Sequence, residues 1–269
     1  MKNEKKQELI RLAKDIRINI LRLCEKTNTG HVGSAFSVVE ILSVLYSEIV
    51  RSKYPDPDRD RVIFSKGHAC TALYATLSRF GVMDASLFSS FANIGSRLGH
   101  HPHYEPSMGL EANTGSLGHG LSIGAGIAYA AYKQNSSARI FVILSDGETN
   151  EGSSWEAAAF AAHHKLSNLC MVLDANKMQA MGFTKDILWP SEYIDRWKSF
   201  GWSVIEVDGH DVNQLAEAFS NVGIHNKPLA IIANTVKGKG VSFMENSLLW
   251  HYRPPRGEEF ISALEELSI

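Results

Sequence analysis

Residues 139–179 read RIFVILSDGETNEGSSWEAAAFAAHHKLSNLCMVLDANKMQ, and this stretch decides the fold. A continuous apolar run over 140–144 predicts a buried strand that breaks at Ser145-Asp146-Gly147. An alanine-rich helix follows, and a second apolar strand over 169–173 ends at Asp174-Ala175-Asn176. Two strands joined by one crossover helix are parallel, so Asp146 and Asn176 are expected at the same sheet edge. Ligands bind at that edge in open α/β sheets.

The chemistry of Asp146 and Asn176 allows two interpretations. A carboxylate and an amide oxygen are hard ligands that suit Mg²⁺, which uses few protein oxygens and completes its shell from phosphates and water. Asp-Gly after a strand is also common turn chemistry, and Asp-x-Asn at a strand end often caps the next helix. The pattern alone therefore leaves a diphosphate–metal site as one of two open interpretations.

Composition narrows the class of protein. The chain has 269 residues, and we expect a single domain over 1–269. Its net charge of -2 predicts neither nucleic acid nor an anionic membrane as a partner. Cys24, Cys70 and Cys170 have no metal-like spacing and are expected to be core residues in a reducing compartment. With an amphipathic amino terminus and no run of transmembrane length, a cytoplasmic location is expected.

Hydrophobic periodicity predicts alternating helices and strands along the chain. Helices are predicted over 4–25, 38–50, 68–79, 117–132 and 212–222, and further strands over 61–64, 202–207 and 229–234. Segments 27–34 and 93–113 are predicted loops, and 236–256 is predicted to be irregular before a last short helix. This order predicts an α/β fold, a parallel sheet with helices on both faces.

Familiar catalytic and phosphate-binding motifs are absent from the sequence. No GxxxxGK[ST] occurs, the glycines of 115–128 lack both the GxGxxG register and a preceding strand, and no GxSxG is present. The histidines of GHHPH fit no standard zinc spacing. What remains is a set of His and Lys residues in glycine-rich loops. Each of these residues alone more often has a structural role, but together they indicate basic loops that cover an anionic cofactor.

Five motifs occur in order along the chain: GHVGS, SKGHA, LGHHP with TGSLGHG, SDGETNEGSSWEA with DANKMQ, and KGKG with WH. Together they make the chain resemble the amino-terminal, thiamine-diphosphate-binding region of transketolase. The resemblance covers essentially the whole length and strengthens the metal interpretation. It implies thiamine diphosphate with Mg²⁺ or Ca²⁺ as cofactors.

The resemblance also implies roles for individual residues. It implies that the metal is bound by the side chains of Asp146 and Asn176 and the backbone carbonyl of Met178. The expected cofactor-binding residues are Ser34, Lys66, His68, Gly115, Leu117, Asp146, Gly147, Glu148, Asn176 and Lys237. Of these, Gly115 and Leu117 would meet the aminopyrimidine ring through backbone groups. The expected catalytic residues of the substrate channel are His31, His101 and His251, with Ser34 beside them, and Glu151 is expected at a subunit interface.

Several positions depart from the family pattern. Ser145 stands where Gly is usual, Met181 where Asp is frequent, and His119 where Gln is common. Tyr252 follows His251 where Gly is common. The departures near the expected substrate mouth leave the substrate more open than the cofactor.

The resemblance implies the amino-terminal subunit of a split transketolase. No glutamate here matches the one that protonates the aminopyrimidine in the family, and the phosphate-gripping arginines of the second domain are also missing. A separate carboxy-terminal subunit with the pyrimidine-binding domain is therefore expected, most simply in an α₂β₂ heterotetramer. The expected reaction moves a two-carbon ketol unit from a ketose or ketose phosphate to an aldose.

Two alternatives remain at this stage. The first is a thiamine enzyme subunit of 1-deoxyxylulose-5-phosphate-synthase-like or keto-acid-decarboxylating type, which the histidines of the expected channel disfavour. The second is a non-catalytic scaffold, which the retained Asp146, Asn176 and His68 disfavour.

Overall fold

A five-stranded parallel sheet forms the centre of the fold. The computed structural model describes residues 3–188 and 192–268, and the strands have the spatial order β1-β2-β3-β5-β4. They are β1 (Arg61–Phe64), β2 (Ile140–Ser145), β3 (Leu169–Ala175), β4 (Ser203–Asp208) and β5 (Leu229–Asn234). Each coincides closely with a strand predicted from the sequence. The predicted α/β class is therefore confirmed.

Helices cover both faces of the sheet. The helices are α1 (Asn3–Thr27), α2 (Val32–Phe36), α3 (Val39–Val44), α4 (Cys70–Arg79), α5 (Ala85–Ser89), α6 (His119–Lys133), α7 (Gly152–His163), α8 (Thr184–Ile187), α9 (Tyr193–Ser199), α10 (Val212–Phe219), α11 (Leu249–Tyr252) and α12 (Glu258–Ser268). The cluster of α1, α3, α4, α10 and α12 lies on one side, and α6, α7 and α9 lie on the other.

Strand β2 shows why its residues form a central strand. Phe141 and Ile143 point into the core on the α1 side, whereas Ile140 and Val142 point into the core on the α6 side. All residues of β2 and β3 are buried, as expected for parallel strands that are covered on both faces. Continuous apolar sequence, rather than alternation, follows from this double burial.

The differences from prediction concern mainly short helices. The loop predicted over 27–34 is wrong at its end, where α2 begins at Val32, and the helix predicted over 38–50 divides into α3 and a π-helical turn, Leu45–Ile49. The tail predicted to be irregular contains α11. Helices α5, α8 and α9 have no predicted counterpart, because so few residues show no helical period.

Two further expectations can be compared with the structure. Cys24, Cys70 and Cys170 are buried and free, as expected. None of the described helices combines the length and the apolar character needed to cross a membrane.

Two glycines of α6 offer a test of its packing on β2. A Cβ on Gly124 would overlap Cγ2 of Val142, whereas a Cβ on Gly126 would meet open space. Gly124→Ala should therefore lower the free energy of unfolding by about 1–3 kcal/mol through overpacking. Gly126→Ala should raise it by up to about 1 kcal/mol through helix propensity. Urea unfolding measures both, and equal values for the two variants would contradict the close approach of α6 to β2.

Candidate functional site

A cavity of about 580 Å³ opens at the carboxyl ends of β1, β2 and β3. Ser145 and Asp174 are paired in the sheet register, so the residues that follow β2 and β3 emerge side by side. Most of the residues singled out from the sequence line this cavity: Ser34, Lys66, His68, Gly115, Leu117, Asp146, Gly147, Asn176, Met178 and His251. His31, His101, Glu148 and Lys237 are not part of the lining, and their positions are described below.

A larger cavity, of about 820 Å³, lies between the ends of β3 and β5 and helices α8 and α9. Of the residues singled out from the sequence, it contains Asn176. Chemistry rather than size therefore identifies the smaller cavity as the candidate site.

Asp146 is a buried carboxylate with an unused oxygen. Its Oδ1 accepts a hydrogen bond from the Gly147 amide at 3.0 Å, while Oδ2 has no hydrogen-bond partner. Burial and the neighbouring Asp174 raise the pKa of Asp146 to about 7. A buried oxygen without a partner is costly, and a bound cation would remove that cost.

The neighbouring donors fit a hard cation. Asn176 is buried, and its Oδ1 accepts from the Met178 amide at 3.1 Å, which leaves this oxygen a second lone pair. Across residues 3–188 and 192–268, no three His, Cys, Asp or Glu residues group in a way that could hold a metal. A cation beside Asp146 would thus depend on amide and carbonyl oxygens and on oxygens from a ligand, as Mg²⁺ often does.

Asp174 is a residue that the sequence did not single out. It is fully buried and forms an ion pair with Lys66, and it also accepts from Ser37 Oγ at 2.7 Å and Asn176 Nδ2 at 3.2 Å. Thr235 Oγ1 is a further donor. Burial opposes ionisation, but Lys66 and the hydrogen bonds keep the pKa of Asp174 below its usual range. Asp174 thus joins the ends of β1, β3 and β5 and orients Asn176.

Lys66 faces two acceptors inside the protein. Its Nζ donates to Asp174 and to the carbonyl of Ser34 at 3.0 Å. Because an ammonium group has three protons, one remains for a ligand in the cavity. The predicted role of Lys66 in diphosphate binding stays a prediction.

Three histidines form a cluster beside Lys237. The ring centroids of His31 and His251 are 4.8 Å apart, and His68 lies 5.5 Å from His31 and 5.8 Å from His251. The Lys237 Nζ lies 3.0 Å from Nδ1 of His251. Since this ammonium only donates, Nδ1 accepts, and the proton of neutral His251 is on Nε2.

Burial and nearby positive charge keep these histidines neutral. Burial, then His101 and Lys237, lower the pKa of His31 to about 4, and burial with Lys237 lowers that of His251 to about 3. The pKa of His68 is also lowered well below its usual value, chiefly by burial. Burial lowers the pKa of Lys237 to about 8, so Lys237 is mostly charged at neutral pH. The positive charge of the cluster is therefore that of Lys237, which lies next to His251 of the cavity lining and favours an anion there.

Gly115 of the cavity lining makes close backbone contacts that only glycine allows. Its φ is 131°, and a Cβ there would lie 2.9 Å from Cγ of His101. A Cβ on Gly67 would in turn lie 2.7 Å from the Gly115 amide nitrogen. Only glycine lets these loops meet, with the exposed His101 packed behind Gly115.

Glu148 faces the protein interior. It accepts from Ser65 Oγ at 2.5 Å and from the amides of Gly118 and Ser145 at 3.0 Å each. With Ser145 it forms a capping box at the end of β2, and the φ of Ser145, -95°, is ordinary for a non-glycine residue. These contacts favour a positioning role, and direct cofactor binding by Glu148 stays a prediction.

Four further residues named in the sequence analysis are exposed, and two of them line the cavity. Glu151 and Met181 line it and are exposed, while His119 is exposed at the start of α6. Tyr252 is exposed too, and its hydroxyl donates to the Ala180 carbonyl. Of the departures from the family pattern, His119, Met181 and Tyr252 are thus exposed, whereas Ser145 is buried in the cavity lining.

Comparisons with known proteins identify the family. A family model described as "Transketolase, thiamine diphosphate binding domain" matches residues 9–267. The chain therefore belongs to the transketolase family, and the matched region is the domain type that binds thiamine diphosphate.

Two relatives that are themselves transketolase subunits match along nearly their whole length. One, from the apulose-4-phosphate transketolase of Actinobacillus succinogenes, is 41% identical over 264 residues, covering 97% of this chain and 96% of the relative. The other, the 6-deoxy-6-sulfo-D-fructose transketolase subunit SqwG of Clostridium sp., is 36% identical and covers 98% of both chains.

A solved transketolase confirms the fold. The crystal structure of Campylobacter jejuni transketolase superposes with a TM-score of 0.88 at 30% identity, over 98% of this chain and 43% of that one. The chain thus spans about two fifths of this solved structure.

The ion pair between Lys66 and Asp174 can be tested by a double mutant. Asp174→Asn should lower the free energy of unfolding by about 3–5 kcal/mol, because it leaves the charge of Lys66 buried and unpaired. Adding Lys66→Met should recover most of that loss. Urea unfolding of the single and double variants measures it, and an equal loss in both would show that the charge of Lys66 is not the cause.

The histidine cluster should respond to a bound anion. Saturating inorganic pyrophosphate with Mg²⁺ should raise the pKa of His31 and of His251, because the anion offsets the positive charge of Lys237. NMR titration of the imidazole protons measures both values. The exposed His225, which does not line the cavity, is the internal control. An unchanged pKa of His31 in the saturated protein would contradict anion binding beside Lys237.

Proposed function

We propose that the chain is the amino-terminal subunit of a two-component transketolase and transfers a two-carbon ketol unit from a ketose to an aldose. Relatives named transketolase subunits that match it over nearly their full length support this proposal. The observation that carries it is that Asp146 Oδ2, without a partner, and His251, whose Nδ1 lies 3.0 Å from the Lys237 ammonium, belong to the same cavity. Such a cavity suits a cation and an anion bound together.

Mg²⁺, or Ca²⁺ in its place, is the proposed metal. Asp146, Asn176 and the Met178 carbonyl would hold it, and diphosphate and water oxygens would complete its shell. The Gly147 amide, His68, Lys66 and Lys237 would hold the diphosphate. The support is the hard character of these donors and the buried Oδ2 of Asp146.

Thiamine diphosphate, when bound, supplies the carbanion chemistry of the reaction. The chain's own residues would orient the substrate and move protons. His31 and His251, which are neutral near pH 7, are suited to exchange protons with hydroxyl and carbonyl groups. They are assigned to this task together with His101. His251 would present its Nε2–H, because Lys237 occupies its other nitrogen. Ser34 lines the same cavity.

A separate carboxy-terminal subunit is the proposed partner, in an α₂β₂ assembly. It would carry the pyrimidine-binding domain and cover the open side of the cavity, where Met181 and Leu188 are 77% and 55% exposed. Glu151, exposed at the same rim, is the proposed contact between subunits. The three buried free cysteines support a cytoplasmic location for a single-domain subunit over 1–269.

The proposed donor is a ketose with an anionic group. The names of two relatives specify such sugars, one a phosphate and one a sulfonate. A keto-acid donor is the alternative. Parallel assays of the assembled complex with sugar phosphates and with pyruvate distinguish the two.

Binding of the cofactor tests the proposal most directly. In the complex with its partner, Asp146→Asn should weaken binding of thiamine diphosphate with Mg²⁺ by at least about tenfold, since even indirect metal partners contribute that much. Asp15→Asn, an exposed residue of α1, is the matched control and should bind normally. Isothermal calorimetry measures both. Absence of binding by the unaltered complex would leave the fold standing and overturn the enzymatic assignment.

A further inference from the structure

His210 lies in the turn between β4 and α10 and outside the cavity, yet it connects the site to buried helices. Its Nε2 accepts a hydrogen bond from the Val236 amide at 2.9 Å, and its Nδ1 lies 3.0 Å from Oε2 of Glu40. A nitrogen that accepts from an amide carries no proton, so Nδ1 carries the proton and donates to Glu40. The two contacts fix both the tautomer and the orientation of the ring.

Glu40 gives His210 a rigid support. Arg17 of α1 donates two hydrogen bonds of 2.6 Å to the Glu40 carboxylate and a third, of 2.9 Å, to the Phe36 carbonyl. Burial raises the pKa of Glu40, but Arg17 and His210 outweigh it and bring this pKa to about 2. Glu40 is therefore an anionic acceptor, held between α1 and α3 in the core.

The backbone held by His210 carries Lys237. Val236 comes directly before this lysine, whose side chain is buried and whose Nζ lies 3.0 Å from His251. The residues on either side have their own attachments. Thr235 donates to the carboxylate of Asp174, and the Gly238 amide donates to the carbonyl of Gly33 in α2 at 2.9 Å. The bond from Val236 to His210 completes this series of attachments.

We propose that His210 is a positioning residue that sets the Lys237 ammonium for the diphosphate. The assignment rests on the proposed function, because the proposed function makes a diphosphate the ligand of Lys237. Without an acceptor at Nε2, the half-buried Val236 loses this attachment, and the backbone before Lys237 shifts. Lys237 moves with it, and the anion is held less tightly.

Matched variants separate the two nitrogens of the ring. His210→Gln keeps an oxygen near the position of Nε2 and so keeps the acceptor for Val236. His210→Asn keeps a donor near Nδ1 for Glu40 but loses the acceptor, and His210→Ala loses both. Each variant is prepared in the complex with the partner subunit, and thermal unfolding verifies that it is folded.

Two measurements follow for each variant. The dissociation constants of Mg²⁺–pyrophosphate and of thiamine diphosphate with Mg²⁺ should rise about tenfold in His210→Asn and His210→Ala. About tenfold is the lower bound of the affinity lost when a residue that orients the ligands of a bound ion is removed. They should stay near the original in His210→Gln. Hydrogen exchange of the Val236 amide, measured without cofactor, should accelerate in His210→Asn and His210→Ala and remain slow in His210→Gln.

Two results would overturn the proposal: affinity and amide protection in His210→Asn equal to those in His210→Gln, or an equal loss in all three variants. Failure of the unaltered complex to bind thiamine diphosphate would instead overturn the proposed function and, with it, the ligand assigned to Lys237. Amide exchange without cofactor reports the bond from Val236 to His210 in either case.

Discussion

The buried ion pair between Lys66 and Asp174 is the interaction on which the rest of the site depends. Lys66 follows β1 and Asp174 is the next-to-last residue of β3, so the pair reaches across the end of β2, where Asp146 begins the next turn. Asp174 also holds Thr235 after β5 and the amide of Asn176. Because a buried charge without its partner is strongly destabilising, the loops are held in one arrangement before any ligand arrives.

This arrangement leaves an unpartnered carboxylate oxygen in the cavity and an ammonium group next to the cavity lining. Asp174 compensates Lys66, so the positive charge left for a ligand is that of Lys237, and the neighbouring histidines remain neutral because burial and Lys237 disfavour their protonation. The acceptor left for a ligand is Oδ2 of Asp146. A diphosphate with a divalent cation satisfies both needs, whereas either ion alone would leave one of them unmet. The electrostatics of the chain thus agree with the cofactor of its family.

The sheet edge was predictable from sequence, because doubly buried strands are continuous apolar runs and parallel pairing brings their ends together. That reasoning placed Asp146 and Asn176 at one sheet edge, and the family resemblance was needed to favour a metal site over turn chemistry. The roles of Asp174 and His210 could not be predicted, since they depend on tertiary contacts with residues distant in sequence, such as Lys66 at a separation of 108 and Glu40 at 170. Short helices such as α8 were not predicted, because tertiary packing, rather than local periodicity, forms them.

Burial divides the site into a fixed floor and an open mouth. Asp146, Asn176 and Lys237 are at most 4% exposed and are tied to several elements, so a substitution there disturbs many contacts. Met181 and Tyr252 are 77% and 64% exposed at the mouth, where a substitution disturbs few. Surface substitutions usually cost little stability. Exposed departures from the family pattern, such as Met181 and Tyr252, therefore cost little stability, whereas the buried departure Ser145 keeps ordinary backbone angles and donates its amide to Glu148.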